Sequence, residues 1–222
     1  CEQRLAANPS DAAAGAVLSR VRAEQGDFDQ ALKLATAAAA ADSRSADAQY
    51  ALAEIYGRKA QKAGVLSQAG LAGKMRKAAN AALAIDPNHE DALEIVIDFH
   101  MLAPGILGGD KKKAAEFTER LLRANPVAGW LKKAQNALRA KDTTLAGQCY
   151  AHAAEQQPPS GRALVQLAAW LAPRWRDPAR AEKLVLQAVQ AEPWRTGGWQ
   201  VLASLYANQA RWAELDDVLK RS

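Results

Sequence analysis

The 222-residue sequence is poor in the residue types that carry out chemistry. It contains two cysteines and three histidines, and none of them stands in a CxxC or HExxH spacing typical of a metal site. Cys149 and His152 are three residues apart and could share a helix face, but two ligands do not make a metal site. We therefore expect a packed thiol beside a surface histidine, and neither a metal nor a cofactor.

Catalytic motifs are missing as well. No serine, threonine or cysteine stands in a recognisable nucleophile context. Residues 105–113 (GILGGDKKK) look like a phosphate loop that opens a helix, but the Gly-Lys-Ser/Thr ending is absent and no strand precedes them. The sequence therefore predicts a structural loop here and a protein that is not an enzyme.

Long apolar runs and flexible linkers are also absent. No run of ~18 apolar residues occurs, which predicts that no helix spans a membrane. No stretch rich in proline, glycine and serine interrupts the chain, and 49% hydrophobic residues are enough for a continuous core. We therefore predict a single domain over residues 1–222.

An internal repeat dominates what the sequence does contain. Alanine, a small or aromatic residue, alanine and proline recur at fixed offsets, and the first and last positions of this Ala-to-Pro pattern are twelve residues apart. It is typical of a helix whose small residues face a neighbouring helix and whose end is set by proline. The five copies, three of them looser, are Ala31, Ala35, Ala38 and Ser43; Met75, Ala79, Ala82 and Pro87; Ala114, Thr118, Leu121 and Pro126; Ala146, Tyr150, Ala153 and Pro158; and Ala181, Val185, Ala188 and Pro193.

The copies are about one helical hairpin apart. Pro126 and Pro158 are separated by 32 residues, and Pro158 and Pro193 by 35, close to the period of about 34 in helix-turn-helix repeats. A second helical pattern, with apolar residues three and four apart, precedes the copies. Together the two patterns resemble the tetratricopeptide repeat (TPR) motif over nearly the whole chain. The resemblance implies an all-α fold, a right-handed superhelix of about six antiparallel helix pairs.

One unit is ten residues longer than the period, and the extra length lies between Tyr56 and Met75. Helix-forming residues stand on both sides of 64–70. We therefore predict an elongated hairpin around 57–73 whose two helices protrude from the array.

A second long unit contains the loop 102–110. Pro104 should end a helix, three glycines permit a tight apolar turn, and Asp110 can cap the next helix. The segment is similar to a Pro-Gly-x-x-Gly-Gly-Asp stretch in some periplasmic and lipid-anchored bacterial TPR proteins, including the T component of TRAP-type transporters. That resemblance implies a cell-envelope protein that docks other proteins, in the transporter case beside a solute-binding protein.

The TPR resemblance also implies a concave groove lined by the first helix of each pair. The carboxylate-clamp subtype, which binds chaperone C-termini, has lysine and asparagine in this groove, whereas this chain has tyrosine and acids. We therefore expect a different protein ligand, held by an acidic first half and a glutamine-lined second half. The groove positions are Arg20, Tyr50, Glu54, Glu94, Asp98, Gln135, Gln166, Gln200 and Ser204.

Charges are segregated along the chain. The segment between Ile55 and Ile85 has six basic residues and no acidic one, whereas 86–98 has five acids and no Lys or Arg. Such opposed patches orient a partner, or they simply keep two helix faces soluble. Nucleic-acid binding is disfavoured, because no aromatic residues alternate with the cations for base stacking. The basic hairpin residues are Arg58, Lys59, Lys62, Lys74, Arg76 and Lys77.

Five of the six tryptophans lie from Trp170 onward. Three of them, Trp175, Trp194 and Trp212, fall in or beside expected turns and each adjoins an arginine. They form either an aromatic contact surface for a partner or a cap on the last repeat, and terminal repeats need capping.

Cys1 leaves two interpretations open. It is either an arbitrary boundary of the chain, or the lipidated first residue of a mature bacterial lipoprotein. The second predicts membrane attachment through Cys1 and a periplasmic or outer-membrane location, and the first leaves a cytoplasmic location open.

The sequence thus predicts a non-catalytic scaffold that docks one or more proteins through its groove and charged surfaces, as an accessory subunit of a bacterial envelope complex. The alternative is an accessory component of a TRAP-type solute-uptake system.

Overall fold

The computed structural model describes residues 1–173 and 176–221, with the backbone alone at residues 65 and 66. All regular elements in these residues are helices, so the all-α class is confirmed for the described chain. The chain divides into two compact units, Cys1–Ala124 (unit 1) and Asn125–Ser222 (unit 2). The single domain over 1–222, the right-handed superhelix and the number of repeats stay predictions.

Unit 1 begins with a short helix and continues as three pairs of packed helices. The pairs are α2 with α3, α4 with α5, and α6 with α7. The bounds are α1 Glu2–Ala7, α2 Ala12–Glu24, α3 Phe28–Ala41, α4 Ala46–Lys62, α5 Val65–Ile85, α6 Glu90–Leu102 and α7 Lys111–Ala124.

Unit 2 contains three further pairs, α8 with α9, α10 with α11, and α12 with α13. The bounds are α8 Pro126–Arg139, α9 Thr143–Ala154, α10 Gly161–Leu171, α11 Pro178–Ala191, α12 Thr196–Asn208 and α13 Trp212–Arg221. Most of these helices begin after a side chain that accepts a hydrogen bond from the first turn, as Asp142 does for α9 and Ser160 for α10.

The Ala-to-Pro pattern corresponds to the buried face of the second helix in the first five of the six described pairs. Ala31 and Ala35 in α3, Ala146 in α9 and Val185 in α11 are all 0% exposed, and Ala188 is 3% exposed. Small side chains at these positions let the paired helices approach closely, so most of the core is made by alanine rather than by large residues.

The elongation of the hairpin is confirmed, and its protrusion from the array stays a prediction. Helix α4 has 17 residues and α5 has 21, against 10 to 14 in α2, α3 and α6–α9, and in α10–α13. The turn is tighter than the sequence indicated, because only Ala63 and Gly64 separate the helices and α5 continues through Gly70. No atom lies within 4 Å of a Cβ built at Gly70, so this glycine meets no packing demand and is tolerated in a long helix.

The loop 102–110 follows its predicted course. Helix α6 ends at Leu102, a single 3₁₀ turn spans Gly105–Leu107, and Asp110 accepts hydrogen bonds from the amides of Lys112 and Lys113. Gly108 has φ +92°, a region that other residues rarely adopt. At Gly109 an added Cβ would lie 1.7 Å from the carbonyl oxygen of Ala103. Both glycines are therefore required by the geometry of the turn.

Candidate protein-binding surfaces

In unit 1 the first helices of the pairs are α2, α4 and α6, and α4 contacts both of the others. Glu54 of α4 lies at the centre of this surface, and its side chain is only 13% exposed. Arg20 approaches it to 2.9 Å and Arg58 to 2.8 Å, and Arg58 also lies 2.7 Å from Glu24. We call Arg20, Glu24, Tyr50, Glu54 and Arg58 the Glu54 cluster.

The cluster changes the expected charge of the groove. The sequence placed Glu54 in an acidic stretch and Arg58 in a separate basic hairpin, but the two side chains pair across one turn of α4. Hydrogen bonding to Glu24 is the main reason that the pKa of Arg58 is raised, and the same contact lowers the pKa of Glu24. The surface around Glu54 is therefore a network of alternating charges rather than an acidic patch.

Tyr50 forms the flat part of the same surface. Burial, followed by the negative charges of Glu54 and Asp91, raises the pKa of its phenol well above the ordinary value. The phenol therefore stays neutral at physiological pH. The Arg20 guanidinium lies 5.9 Å from the centre of its ring, and the imidazole of His89 packs at 5.1 Å.

His89 is a groove residue that the sequence analysis did not single out. Its Nδ1 accepts a hydrogen bond from the amide of Ala92, so it caps α6, and its Nε2 lies 3.2 Å from Asp47. The sequence feature that could have identified His89 is its position just before the first turn of a helix, where asparagine, aspartate or serine is usual. Histidine at this position ties α6 to α4 through both Asp47 and Tyr50.

Glu94 and Asp98 also lie on α6 and are half-buried. They are four residues apart and therefore occupy neighbouring positions along one side of the helix. The structure thus places the five groove residues predicted for unit 1 on three contacting helices, and it joins Arg20, Tyr50 and Glu54 by direct contacts.

The basic hairpin residues make several contacts within unit 1. The Lys59 Nζ lies 2.6 Å from Asp29, and the Lys62 Nζ lies 4.7 Å from the centre of the Phe28 ring. These contacts fix the end of α4 against the turn between α2 and α3.

Farther along the hairpin, cations of α5 face aromatic rings. Lys74 lies 5.8 Å from the centre of the Tyr56 ring, and Arg76 lies 4.8 Å from that of Phe99. Lys74 and Lys77 are exposed and Arg76 is half-buried. The hairpin therefore offers exposed ammonium groups on a framework that its own contacts make rigid.

The groove positions predicted for unit 2 are neutral. Gln135 of α8 and Gln166 of α10 are half-buried, whereas Gln200 and Ser204 of α12 are exposed. Helix α10 contacts both α8 and α12, so these side chains lie on neighbouring helices. They can exchange hydrogen bonds with a partner but carry no charge to orient it.

A second charged network connects the last three helices of unit 2. Arg211 lies 2.7 Å from Glu182 and 2.8 Å from Glu214, and the Tyr206 hydroxyl donates a hydrogen bond of 2.9 Å to Glu182. The guanidinium also lies 4.4 Å from the centre of the Tyr206 ring. The network joins α11, α12 and α13, and Arg211 is the main cause of the lowered pKa of Glu182.

The tryptophans of the predicted aromatic surface are strongly exposed where the structure describes them. Trp194 is 74% exposed and Trp212 is 64% exposed, whereas Trp175 lies outside the described residues. The arginines beside them point elsewhere, since Arg211 faces Glu182 and Arg195 pairs with Glu192. The rings at 194 and 212 therefore remain available to a partner.

Unit 2 also contains an open cavity of about 700 Å³ between α9, α10 and α11. Its lining mixes apolar residues such as Leu164, Leu167 and Leu184 with Arg180 and Glu155.

Three further features bear on the predicted chemistry. Within residues 1–173 and 176–221, no three His, Cys, Asp or Glu side chains lie close enough together to hold a metal ion. No helix in that part of the chain is long and apolar enough to cross a membrane. Both cysteines are free: Cys1 is exposed, and Cys149 is buried with a pKa raised by burial.

Comparison with known proteins identifies the fold through solved structures. No protein-family model and no curated protein sequence matches the chain. Among solved structures, TTC0263, a thermophilic TPR protein of Thermus thermophilus, aligns with a TM-score of 0.62 and 15% identity over 88% of this chain and 99% of its own. A TPR protein of Parabacteroides merdae aligns with a TM-score of 0.60 and 16% identity over 99% and 80% of the two chains.

A third solved structure is YrrB, a TPR protein with a peptide-binding site, which aligns with a TM-score of 0.50 and 15% identity over 90% of this chain and 95% of its own. Sequence identities this low establish a common fold and leave the partner open. The TPR resemblance found in the sequence is confirmed at this level: the chain has the fold of the tetratricopeptide repeat proteins.

Proposed function

We propose that the chain is a non-catalytic scaffold that binds an extended segment of a partner protein on the α2–α4–α6 surface of unit 1. The observation that carries this proposal is the Glu54 cluster. Its two arginines are held by a largely buried carboxylate, so Arg20 is fixed in position while its side chain remains 52% exposed. A preorganised cation beside a neutral tyrosine loses little side-chain entropy on binding.

The chemistry of the cluster indicates what such a segment would carry. Arg20 presents donors to a carboxylate or a backbone carbonyl, and the Tyr50 ring offers a flat apolar surface. YrrB, which shares the fold, is described as having a peptide-binding site, and this supports an extended ligand. Within unit 2, the glutamines and Ser204 would offer a partner hydrogen bonds without charge.

A peptide array that samples sequence and charge tests this proposal. Arg20→Gln and Tyr50→Ala should each lower the affinity of the best peptides at least tenfold. Glu116→Gln is the matched control, because this exposed acid lies on α7, away from the cluster, and it should change nothing. Binding that survives both cluster substitutions would move the docking surface to the exposed rings of Trp194 and Trp212.

We further propose that the scaffold is an accessory subunit of a bacterial envelope complex, attached through a lipidated Cys1 in the periplasm or at the outer membrane. The exposure of Cys1 is compatible with acylation. Metabolic labelling of cells with a radioactive fatty acid should label the protein, and Cys1→Ser should abolish the label. An unlabelled protein in the cytosolic fraction would instead support the cytoplasmic alternative.

The second candidate function is an accessory role in a TRAP-type solute-uptake system. The loop 102–110 favours it through its similarity to the T component, and the 700 Å³ cavity of unit 2 could contribute a small-molecule site. Copurification with a solute-binding protein would support this role. A panel of organic acids that causes no shift in melting temperature would count against the small-molecule site.

A further inference from the structure

The loop 102–110 exposes several apolar side chains, and the geometry of the loop does not require apolar residues at these positions. Ile106 is 95% exposed, Leu102 64% and Leu107 47%. The turn depends on Gly108, Gly109 and the Asp110 cap, so polar residues would serve equally well at the three apolar positions. Exposed apolar side chains that lie together usually mark a surface that contacts a partner or a membrane.

Cations surround the base of this loop. Lys111, Lys112 and Lys113 are exposed in the first turn of α7, and Gly108, Gly109 and Asp110 separate them from Leu107. From the other side, Arg76 of α5 reaches under the loop, and its Nη1 lies 2.8 Å from the position that a Cβ on Gly108 would occupy.

Other contacts show that three helix connections lie at this same end of unit 1. The Lys59–Asp29 ion pair and the contact of Lys62 with Phe28 join the α4–α5 turn to the α2–α3 turn. Arg76 then joins α5 to the loop 102–110. The segments 21–29, 58–77 and 99–113 together contain ten Lys or Arg residues and four Asp or Glu residues.

The first residue of the chain lies at this end too. Glu2 pairs with Arg22, which stands in the last turn of α2. The exposed Cys1 therefore lies beside the basic turns rather than at the opposite end of the helices.

We propose that this end of unit 1 binds the surface of an anionic phospholipid bilayer. Leu102, Ile106 and Leu107 would enter the headgroup region, and the lysines around them would contact lipid phosphates. A bilayer fits better than a protein because strongly exposed apolar side chains stand next to a run of exposed lysines, and interfacial membrane anchors combine apolar and basic side chains in this way. The apolar loop and residues 111–113 are not part of the Glu54 cluster proposed for peptide binding, and the site requires no acyl chain on Cys1.

Cosedimentation of the unacylated chain with vesicles tests the proposal. One set of vesicles contains phosphatidylcholine alone and the other contains phosphatidylcholine with about a third phosphatidylglycerol. We expect binding to the anionic vesicles only, and weakening as salt is raised. Each lysine near an anionic surface contributes about 1 kcal/mol, so replacing Lys111, Lys112 and Lys113 by Gln should weaken binding at least tenfold.

The apolar part of the proposal has its own variant. The double substitution Ile106→Ser and Leu107→Ser should also weaken vesicle binding at least tenfold, because two side chains can no longer leave water at the interface. Leu145→Ser is the matched apolar control, because Leu145 is 45% exposed in unit 2. Replacing the exposed residues Lys33, Arg44 and Lys183 by Gln is the charge control, and neither control should alter binding.

The melting temperature of every variant should match that of the unmodified chain, since the replaced side chains are exposed. Absence of binding to anionic vesicles by the unmodified chain would overturn the proposal. Unaltered vesicle binding by the Ile106 and Leu107 variant would also overturn it. So would a result in which this variant loses a protein partner and still binds anionic vesicles. A failure here leaves the peptide-array result unaffected, so the two proposals fail separately.

Discussion

Two adjacent glycines in α12 should respond in opposite ways to the same substitution. A Cβ added at Gly198 would lie 2.5 Å from Cγ1 of Val189 and 3.7 Å from Cγ2 of Val185, both on α11. At Gly197 the nearest atom would be Cγ1 of Val165, at an ordinary contact distance of 3.8 Å. The two glycines share a helix and a neighbourhood, so each controls for the other.

The magnitudes follow from two effects. Replacing glycine by alanine in a helix stabilises it by roughly 0.5–1 kcal/mol, because less backbone entropy is lost on folding. At Gly198 this gain is opposed by overpacking, which costs about 1–3 kcal/mol when a side chain enters a filled core. Gly197→Ala should therefore raise the free energy of unfolding slightly, whereas Gly198→Ala should lower it by about 1–2 kcal/mol.

Urea unfolding followed by tryptophan fluorescence measures this difference in the free energy of unfolding of unit 2. All six tryptophans lie between residues 130 and 212, so the signal reports on unit 2. In a Val189→Ala background the atom that obstructs the new methyl group is gone, and Gly198→Ala should no longer destabilise unit 2, a coupling of about 1 kcal/mol or more. Stabilisation by both single substitutions would refute the close packing of α12 on α11.

Three further outcomes are expected. Ala188→Leu should destabilise unit 2 by about 1–3 kcal/mol through overpacking, and an unchanged urea midpoint would show that the Ala-to-Pro pattern does not mark a packed face. Glu182, whose pKa is lowered mainly by Arg211, contributes stability that is present above the ordinary carboxyl pKa of about 4.3 and is lost as pH falls through its lower folded value; Glu182→Gln should flatten this acid dependence of unit 2 in urea titrations, and a slope that persists would assign it to other groups. In native protein a thiol reagent should modify the exposed Cys1 rapidly and the buried Cys149, whose pKa is raised, only on unfolding, and two equally fast thiols would contradict the burial of Cys149.

The features that the sequence predicted well are those that depend on neighbouring residues along the chain. Ala31, Ala146 and Ala181 are each 0% exposed, as their spacing implied, because helical periodicity and close packing both act through fixed offsets. The extended helices α4 and α5 and the cap at Asp110 follow from local rules as well.

The features that the sequence missed depend on side chains that meet across helices. Arg58 was assigned to a separate basic hairpin, although it pairs with Glu24 of another helix. Gly147 appeared unremarkable, yet an added Cβ there would lie 2.5 Å from the ring of Trp170. Neither contact leaves a periodic signal, since each depends on how one helix happens to face another.

The sequence by itself determined that this chain is a helical array with alanine-rich contacts, because that property recurs at intervals of 32 to 44 residues and needs no knowledge of partners in space. Tertiary structure alone decided which charges meet. It brought Arg20 to Glu54 and Glu24 to Arg58 in the expected acidic groove, and it brought the apolar loop beside Arg76 of α5. The physical reason is that a charge or an exposed apolar side chain acts on what lies within a few ångströms of it, and those neighbours come from distant parts of the chain.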